Sequence, residues 1–334
     1  MGFRHVGPTD RNLTLLPLYH VGGVWGILFA VYHGGSVVLA ERFRTQDFWS
    51  IVRRHRVTTT GLLGSMVDFL MTQPALPGER EHGLASVLIA PFGPAAQRFG
   101  ARFGVAVYTE YNMSELAVPL FAGPDPQSVG SCGVVAPGVT LRLVDEYDIE
   151  VGEGAVGELI LRMDEPWTVS HGYHDDAEAT ARAWRNGWFH TGDLFRRDAQ
   201  GNYYFVDRAK DSIRRRGENI SAFEVENGLL RHPDVVEAAA VAVPADEGGE
   251  QEVLAVLRLV PGASLDPAVL LDFLRSELAP HMLPRYVRLV EDFPRTPTQK
   301  IEKYKLRAQG VTADTWDRAS AGVAVRGDRL ERRG

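Results

Sequence analysis

Two runs organise this sequence: Trp188-Phe189-His190-Thr191-Gly192-Asp193-Leu194 and, after a strand-like segment, Asp207-Arg208-Ala209-Lys210-Asp211. The carboxylate of Asp193 can accept hydrogen bonds from both hydroxyls of a ribose, and the guanidinium of Arg208 can donate to the same sugar. A basic turn, Arg214-Arg215-Arg216-Gly217-Glu218-Asn219, follows. The rest of the sequence reads as two bodies joined at this point.

Composition sets the broad class of the protein. A chain of 334 residues is long enough for two domains, and 45% hydrophobic with 24% charged residues is ordinary for a globular protein. The net charge of -7 argues against nucleic acid as a general partner. The single cysteine, Cys132, excludes an intramolecular disulfide framework and a cysteine-rich zinc site. We expect no membrane span, and a cytoplasmic location, because no long apolar run or signal-peptide core is present.

The order of predicted elements favours an α/β fold. In the first part of the chain, strand-like segments alternate with helix-like segments, which indicates a largely parallel sheet. The predicted strands are residues 13–18, 36–40, 57–62, 87–90 and 105–108, and the predicted helices are residues 22–31, 45–55 and 64–71.

The pattern changes after about residue 130. Strand-like runs at 139–144, 157–162 and 203–206 are separated by glycine-bearing turns, which favours a small antiparallel β subdomain with a helix inserted at 176–184. A compact unit of both helices and strands follows Lys210. Its predicted helices are residues 222–231 and 266–278, and its predicted strands are residues 235–243, 252–259 and 287–289.

Five motifs give the chain a clear resemblance to a known family. They are Leu16-Pro17-Leu18-Tyr19-His20, Tyr111-Asn112-Met113-Ser114-Glu115, the run ending at Asp193, the segment 207–220, and Pro294-Arg295-Thr296-Pro297-Thr298-Gln299-Lys300-Ile301. From about Leu13 to about Arg307, the chain resembles the adenylate-forming enzymes, which include acyl-CoA synthetases, peptide-synthetase adenylation domains and luciferases. Within them it looks most similar to the carnitine/crotonobetaine-CoA ligase-like group.

This resemblance implies a domain plan and a reaction. Residues 1–208 would be the C-terminal part of the large AMP-binding domain, with the β subdomain at about 130–208. Residues 209–310 would be the mobile C-terminal domain, and residues 311–334 a tail. The implied activity is an ATP-dependent carboxylate–CoA ligase, which forms an acyl-AMP intermediate and then a thioester with coenzyme A. ATP, Mg²⁺, coenzyme A and a small carboxylic acid are the implied cofactors and substrates.

The 111–115 motif carries the nucleotide roles that the resemblance implies. Tyr111 would face adenine, the hydroxyl of Ser114 would reach a phosphate, and Glu115 would hold Mg²⁺, which prefers hard oxygen ligands. The family pattern has glycine where this chain has Asn112. We expect Asn112 to fit because asparagine tolerates unusual backbone angles.

Other implied roles lie along the chain. His20 would lie near the substrate carboxylate in the acyl pocket, Asp193 would bind the ribose with Arg208 as its partner, and Lys300 would be the catalytic lysine, although Gln299 stands where the family has glycine. The turn Ala90-Pro91-Phe92-Gly93-Pro94 lies where the family has a turn that runs along the nucleotide base.

The hinge between the domains is placed at Lys210, and the loop at Gly217 would approach the pantetheine channel. The arginines at 214–216 are candidates for the coenzyme A phosphates. A solvated basic turn is the alternative interpretation of these arginines.

Full-length relatives also carry a glycine- and Ser/Thr-rich phosphate loop upstream of the His20 motif, and this sequence has none. The chain could therefore be a fragment, or one half of a split enzyme completed by an N-terminal polypeptide. It could also be a module that binds acyl-adenylate or coenzyme A without adenylating, or that performs only thioester formation. A homodimer is a further expectation for its assembly.

Overall fold

The structure is a computed structural model that describes residues 6–215, 218–245, 251–296, 300–326 and 329–332. The chain divides into two compact units, Met1–Phe205 and Val206–Gly334. The division falls inside one strand, Tyr203–Arg208. Each unit is built around its own apolar clusters.

The first unit begins with alternating strands and helices. Its strands are β1 Arg11–Thr14, β2 Ser36–Leu39, β3 Thr59–Leu63, β4 Ser86–Ala90 and β5 Ala106–Tyr111. Its helices are α1 Val21–His33, α2 Phe48–His55, α3 Gly64–Met71 and α4 Pro94–Phe103. These five strands run parallel, in the order β2-β1-β3-β4-β5. Connections through helices are what a parallel sheet requires.

The second half of this unit is antiparallel. It contains β6 Leu120–Ala122, β7 Ser131–Val135, β8 Val139–Val144, β9 Gly157–Met163, helix α5 Ala177–Ala183, β10 Phe189–Arg197 and β11 Tyr203–Arg208. These strands continue the parallel sheet, so that one 11-stranded sheet has the order β2-β1-β3-β4-β5-β6-β7-β11-β10-β9-β8. Antiparallel pairing already begins where β6 lies beside β5.

The predicted fold class is confirmed, but one boundary is wrong in a way that matters for function. Residues 13–18 are predicted as a strand, whereas β1 ends at Thr14. Pro17 explains the difference, because proline has no N–H for a sheet ladder and is excluded from central strands. The chain instead turns, with His20 N donating to Pro17 O at 3.0 Å. The 16–20 motif is therefore a loop.

Helix α1 packs very closely on β1. A Cβ atom added at Gly26 would lie 2.2 Å from Oγ1 of Thr14, and one added at Gly23 would lie 2.1 Å from the carbonyl oxygen of Pro17. Only glycine permits such approaches. These contacts fix the 16–20 loop against the start of the helix.

Among the described residues, the outward side of α1 is exposed, and strand β2 is half-buried except for the exposed Leu39. Leu28, Val31 and Tyr32 are 55%, 79% and 85% exposed. Strand β2 reads Ser-Val-Val-Leu and lies at the edge of the sheet formed by the described residues. A continuous apolar strand is typical of a parallel sheet that is covered on both faces. We call the surface formed by Leu28, Val31 and Tyr32 of α1 together with strand β2 the α1–β2 face.

The second unit is smaller and mixes helices with short strands. It contains the hairpin β12 Ile213–Arg215 and β13 Glu218–Ile220, helix α6 Ala222–Leu230, β14 Val235–Pro244, β15 Gln251–Leu259, α7 Pro267–Leu274, β16 Tyr286–Leu289, α8 Lys303–Gln309, β17 Trp316–Asp317, β18 Val323–Arg326 and β19 Arg329–Arg332. Strands β14, β15, β16 and β17 form its main sheet in that order. Part of the predicted tail therefore contributes a strand to this sheet, and Val323 lies in its core.

Across the described part of the chain, every helix is too short or too polar to cross a bilayer.

Candidate functional site

Three of the predicted motifs follow parallel strands of the first unit. The 16–20 loop follows β1, the turn 90–94 follows β4, and the 111–115 motif begins at the last residue of β5. The carboxyl ends of parallel strands lie at one edge of a sheet, and ligands of open α/β sheets bind outside that edge. The topology therefore gathers these motifs at one edge, although no sequence pattern links them.

His20 caps helix α1 at this edge. Its Nδ1 accepts a hydrogen bond from Gly22 N at 3.1 Å. A neutral imidazole that accepts at Nδ1 carries its proton on Nε2. His20 is half-buried, so it combines a structural cap with a ring nitrogen that can donate.

Tyr111 and Asp193 are brought together. The hydroxyl of Tyr111 donates to Oδ2 of Asp193 at 2.6 Å, although the residues are 82 positions apart. The Tyr111 ring also lies edge-on to Phe195, with 4.9 Å between ring centroids. Both residues were predicted to contact one nucleotide, at its base and at its ribose, and their hydrogen bond places them at a common site.

A bulge in β10 presents Asp193. The pairing of β10 with β9 shifts register between His190 and Leu194, and Gly192 adopts φ +70 within that interval. A left-handed residue is easy for glycine and costly for most others. Asp193 N donates to Oγ1 of Thr191 at 3.1 Å, which closes the bulge. β-Bulges commonly redirect a side chain in this way.

Glu158 on β9 holds the same bulge from the neighbouring strand. Its Oε1 accepts from Gly192 N at 2.9 Å, and its Oε2 lies 3.0 Å from Nδ1 of His190. Arg185 donates to Oε2 as well, at 2.9 Å. Glu158 is not among the residues predicted from the sequence. The signal that could have found it was a carboxylate next to the apolar run Leu159-Ile160-Leu161 in a predicted strand, because a partly buried charge needs partners.

Glu115 is tethered at two points. Its backbone carbonyl accepts from Ser170 N at 2.8 Å, and its Oε1 accepts from the Tyr173 hydroxyl at 3.0 Å. Burial, together with the hydrogen bond to Glu115, raises the pKa of the Tyr173 hydroxyl above its ordinary value of 10.0. Ser114 is exposed beside it. Tyr173 was also missed by the sequence analysis.

The surroundings of Glu115 bear on whether a magnesium ion could be held here. No group of three or more acidic, histidine or cysteine side chains that could enclose a metal exists among the described residues. Mg²⁺ usually takes only one or two protein carboxylates and completes its shell with phosphates and water. The single carboxylate of Glu115 fits an ion that arrives with a nucleotide.

Asn112 behaves differently from the expectation. Its φ is not positive, so its backbone uses no special freedom. Its side-chain Nδ2 instead donates to Oε1 of Glu110 at 2.8 Å. Glu110 is only 6% exposed, and burial raises its pKa from 4.5 to about 7 despite this hydrogen bond. Glu110 is not among the residues predicted from the sequence.

Cys132 is unsuited to act as a nucleophile. Burial raises the pKa of its thiol to about 11, and the negative charge of Asp193 acts in the same direction. The thiolate is the reactive form of cysteine, so a thiol with this pKa is inert near neutral pH.

The remaining predicted residues lie in the second unit. Arg208 follows Asp207, whose Oδ2 accepts from Ala222 N at 2.6 Å at the start of α6. Lys210 is exposed. The adjacent Asp211 pairs with Arg307 at 2.9 Å. The predicted hinge residue, Lys210, is therefore exposed between two carboxylates with fixed partners. Asp207 binds the start of α6, and Asp211 binds α8.

The basic turn does not present all its arginines to solvent. Arg214 is exposed, but Arg215 is buried and pairs with Glu252 at 2.8 Å. Arg215 Nη1 also donates to the carbonyl of His281 at 3.0 Å. The expectation that Arg215 is a candidate for coenzyme A phosphates is therefore wrong, because a buried and paired guanidinium serves the core. Arg216 and Gly217 lie outside the described residues.

Lys300 lies on a loop with a fixed base. Thr296 N donates to Lys300 O at 2.9 Å, and Lys300 N donates to Oγ1 of Thr296 at 3.1 Å. At the base, Arg295 Nη2 lies 2.7 Å from both carboxylate oxygens of Glu237. Although burial opposes it, this pairing and that of Arg258 hold the pKa of Glu237 below its ordinary value of 4.5. The Lys300 side chain is exposed, and residues 297–299 lie outside the described residues.

The family model described as AMP-binding enzyme matches residues 1–174, and the model of the AMP-binding enzyme C-terminal domain matches residues 224–300. The chain belongs to the AMP-binding enzyme family. The predicted kinship with adenylate-forming enzymes is therefore confirmed.

Several members of the AMP-binding family are similar over most of this chain. A sulfoacetate–CoA ligase from Cupriavidus necator is 37% identical, over 90% of this chain and 59% of its own length. A crotonobetaine/carnitine–CoA ligase from Citrobacter koseri is 32% identical, over 89% of this chain and 59% of its own length. The chain thus spans about three fifths of the length of these curated relatives.

Solved structures have a similar fold. The structure of O-succinylbenzoate coenzyme A synthetase from Bacillus subtilis, in complex with ATP and magnesium ion, matches with a TM-score of 0.80 at 26% identity. The match covers 92% of this chain and 62% of that chain. An amide bond synthetase from Marinactinospora thermotolerans matches with a TM-score of 0.77 at 28% identity, over 91% of this chain and 63% of its own.

Proposed function

We propose that this chain carries the nucleotide and coenzyme A machinery of an ATP-dependent carboxylate–CoA ligase. The observation that carries the proposal is the hydrogen bond between Tyr111 and Asp193 at the carboxyl edge of the parallel strands. Tyr111 offers a ring for adenine, and Asp193 offers a carboxylate for the ribose hydroxyls. Curated relatives named as CoA ligases support the reaction type.

The first half-reaction must bring two anions together. A substrate carboxylate attacks the α-phosphate of ATP and expels pyrophosphate, which leaves an acyl-AMP. A Mg²⁺ ion held by Glu115 would offset negative charge on the phosphates. The exposed ammonium of Lys300 would stabilise charge that develops on the α-phosphate. Ser114 would donate its hydroxyl to a phosphate oxygen.

His20 would orient the substrate carboxylate. Because Nδ1 is occupied by the helix cap, the donor side of the ring is Nε2. A single fixed donor next to the acyl pocket can hold one carboxylate oxygen while the other attacks. The close packing of Gly23 and Gly26 against the 16–20 loop and β1 would keep that donor in place.

The second half-reaction needs a different set of groups. The thiol of coenzyme A attacks the acyl carbon, the bond to AMP breaks, and AMP leaves. A rotation at Lys210 would withdraw Lys300 and bring the Gly217 loop to the pantetheine channel. Arg208 would accompany Asp193 at the ribose. Exposed Arg214 remains a candidate for the coenzyme A phosphates, whereas Arg215 does not.

The complete enzyme would need a partner on the α1–β2 face. The relatives contain segments outside the matched region, since this chain covers 59% of the length of one of them. The uncovered apolar strand and helix fit a polypeptide that adds strands to the β2 edge and supplies the phosphate loop. Beside this face lies a groove of about 270 Å³, lined by apolar residues such as Val38 and Ile51 and by charged residues of both signs such as Arg42 and Asp47. We assign the face to such a segment, carried in the same protein or on a second chain.

Pyrophosphate exchange tests the proposed activity. The chain should exchange labelled pyrophosphate into ATP when it is supplied with a panel of carboxylic acids and a polypeptide equivalent to the unmatched part of a relative. Exchange should fall when Val31 and Tyr32 of the face are changed to lysine, whereas Tyr147→Lys, at an exposed tyrosine elsewhere, should have no effect. A complemented chain that never exchanges would contradict adenylation.

The alternative is a protein that only forms thioesters or binds nucleotides. The observation favouring it is that Tyr111 and Asp193 offer groups for the base and the ribose of an adenylate, whichever half-reaction follows. A supplied acyl-adenylate and coenzyme A separate the two. Thioester formation without any exchange in the complemented protein would favour the half-reaction, and binding without either reaction would favour the module. Self-association of the chain through the α1–β2 face would instead favour the homodimer.

A further inference from the structure

The two sequence neighbours of Tyr111 are joined by a hydrogen bond between their side chains. Nδ2 of Asn112 donates to Oε1 of Glu110 at 2.8 Å. Along a strand, alternate side chains lie on the same side, so Glu110 and Asn112 share one side of β5 and Tyr111 points to the other. Tyr111 is thus restrained at two points. Its hydroxyl is bound to Asp193, and its backbone lies between two residues whose side chains are bonded to each other.

The pair lies where the chain leaves the sheet. Tyr111 is the last residue of β5, and Asn112 is the first residue of the loop that leads to Ser114 and Glu115. A glycine at position 112 could not make this bond, since it has no side chain. The φ of Asn112 is not positive, so the position does not need the backbone freedom of glycine. The feature of Asn112 that the structure uses is its side-chain hydrogen bond.

A glutamate at this position destabilises the folded state unless its carboxylate has a structural role. It is 6% exposed, and its Oε2 is buried without a hydrogen-bond partner among the described residues. Burying a carboxylate with incomplete pairing is unfavourable, and an apolar residue would fill a strand position at lower cost. The one bond that Glu110 makes to a side chain in the described structure goes to Asn112.

We propose that Glu110 and Asn112 form a brace that positions Tyr111 and the 112–115 loop for nucleotide binding, a role that rests on the proposed function of this site. The brace pre-organises the aromatic ring before the nucleotide arrives, so that less ordering is needed on binding. Glu110 acts through Asn112 and Tyr111 and is a positioning residue.

Hydrogen exchange of the nucleotide-free chain tests the brace independently of any activity. In Asn112→Ala and in Glu110→Ala, backbone amides at residues 111–116 should exchange about tenfold faster, because the hydrogen bond between the two side chains is lost. Glu110→Gln keeps a carbonyl oxygen for Asn112 and should restore most of the protection that Glu110→Ala loses. Glu153→Ala, on an exposed turn, is the matched control. Unchanged exchange at 111–116 in both alanine variants would overturn the brace.

Calorimetric titration with AMP links the brace to the nucleotide. Asn112→Ala and Asn112→Gly should both weaken AMP binding relative to the wild-type chain, by a factor similar to the change in exchange. Faster exchange with unchanged AMP affinity would overturn the positioning role. A wild-type chain that does not bind AMP would instead refute the proposed function, whatever the exchange shows. Melting curves of all variants identify any that fail to fold, and Asn112→Gly then stands in for Asn112→Ala.

Discussion

Glu110→Gln should stabilise the protein at alkaline pH and do so less at acidic pH. Burial raises the pKa of Glu110 from 4.5 to about 7, so its charged form is disfavoured in the folded state. Below pH 4.5 the residue is protonated in both states and contributes no penalty. Between pH 4.5 and 7 the folded state binds more protons than the unfolded state, so wild-type stability falls as pH rises. Above pH 7 the full penalty is present.

The shift from 4.5 to about 7 gives the size of the effect. Each pKa unit corresponds to about 1.4 kcal/mol, so the full penalty is about 3 kcal/mol. At pH 8 nearly all of it applies, whereas at pH 5.5 only about 1.4 kcal/mol does. Glutamine has the same shape and cannot ionise. The advantage of the variant should therefore be about 2 kcal/mol larger at pH 8 than at pH 5.5.

Urea denaturation followed by tryptophan fluorescence measures this difference. Five of the six tryptophans lie in the first unit, so the signal follows the unit that contains Glu110. Glu153→Gln, at an exposed position, should change stability by less than about 0.5 kcal/mol at both pH values. An advantage of Glu110→Gln that is the same at pH 5.5 and pH 8 would refute the assignment of a buried carboxylate with a raised pKa.

Three further outcomes are expected. Lys300→Ala should lower pyrophosphate exchange by about a hundredfold or more and largely spare thioester formation from a supplied acyl-adenylate, and equal loss of both steps would contradict its role. Glu252→Ala should destabilise the second unit by about 3–5 kcal/mol, because buried Arg215 loses its carboxylate partner; backbone hydrogen exchange of β14 and β15 reports this, and unchanged exchange there would contradict the pairing. Glu237→Gln should lower stability near pH 7. The folded-state pKa of Glu237 is depressed, so its contribution is present above pH 4.5 and is lost as pH falls through that lower pKa; denaturation curves at pH 7 and pH 3 that show equal losses would contradict this.

Much of the fold could be predicted from sequence because its signals are local. The alternation of apolar strands and helices predicts the parallel half of the sheet, and helix α3 matches its predicted bounds of 64–71. The prediction of a strand at 13–18 was wrong beyond Thr14, because it followed the apolar run and gave too little weight to Pro17, which cannot donate to a sheet. Strand β10 went unrecognised because Gly192 and the bulge interrupt the alternation that marks a strand.

The candidate site was predictable only where a motif names the residue. Tyr111 and Asp193 carry such motifs, and their hydrogen bond followed once the fold was known. Glu158 and Tyr173 act through partners that are distant in sequence, so no local pattern reveals which residues they contact, even though the carboxylate of Glu158 stands out in its strand. The burial of Arg215 likewise depends on Glu252, which lies on another strand. Clustered arginines look alike in sequence whether they face solvent or the core.

The nucleotide site itself can be tested by calorimetric titration of AMP into the wild-type chain and into Asp193 variants. The wild-type chain should bind AMP, and Asp193→Ala should bind it at least about tenfold more weakly, because the ribose loses a charged acceptor. Asp193→Asn keeps an oxygen for Tyr111 and should fold like the wild type yet still bind more weakly, whereas Asp164→Ala, at an exposed aspartate, should bind like the wild type. Equal AMP affinity in the wild-type chain and in Asp193→Ala would contradict the placement of the nucleotide at Tyr111 and Asp193.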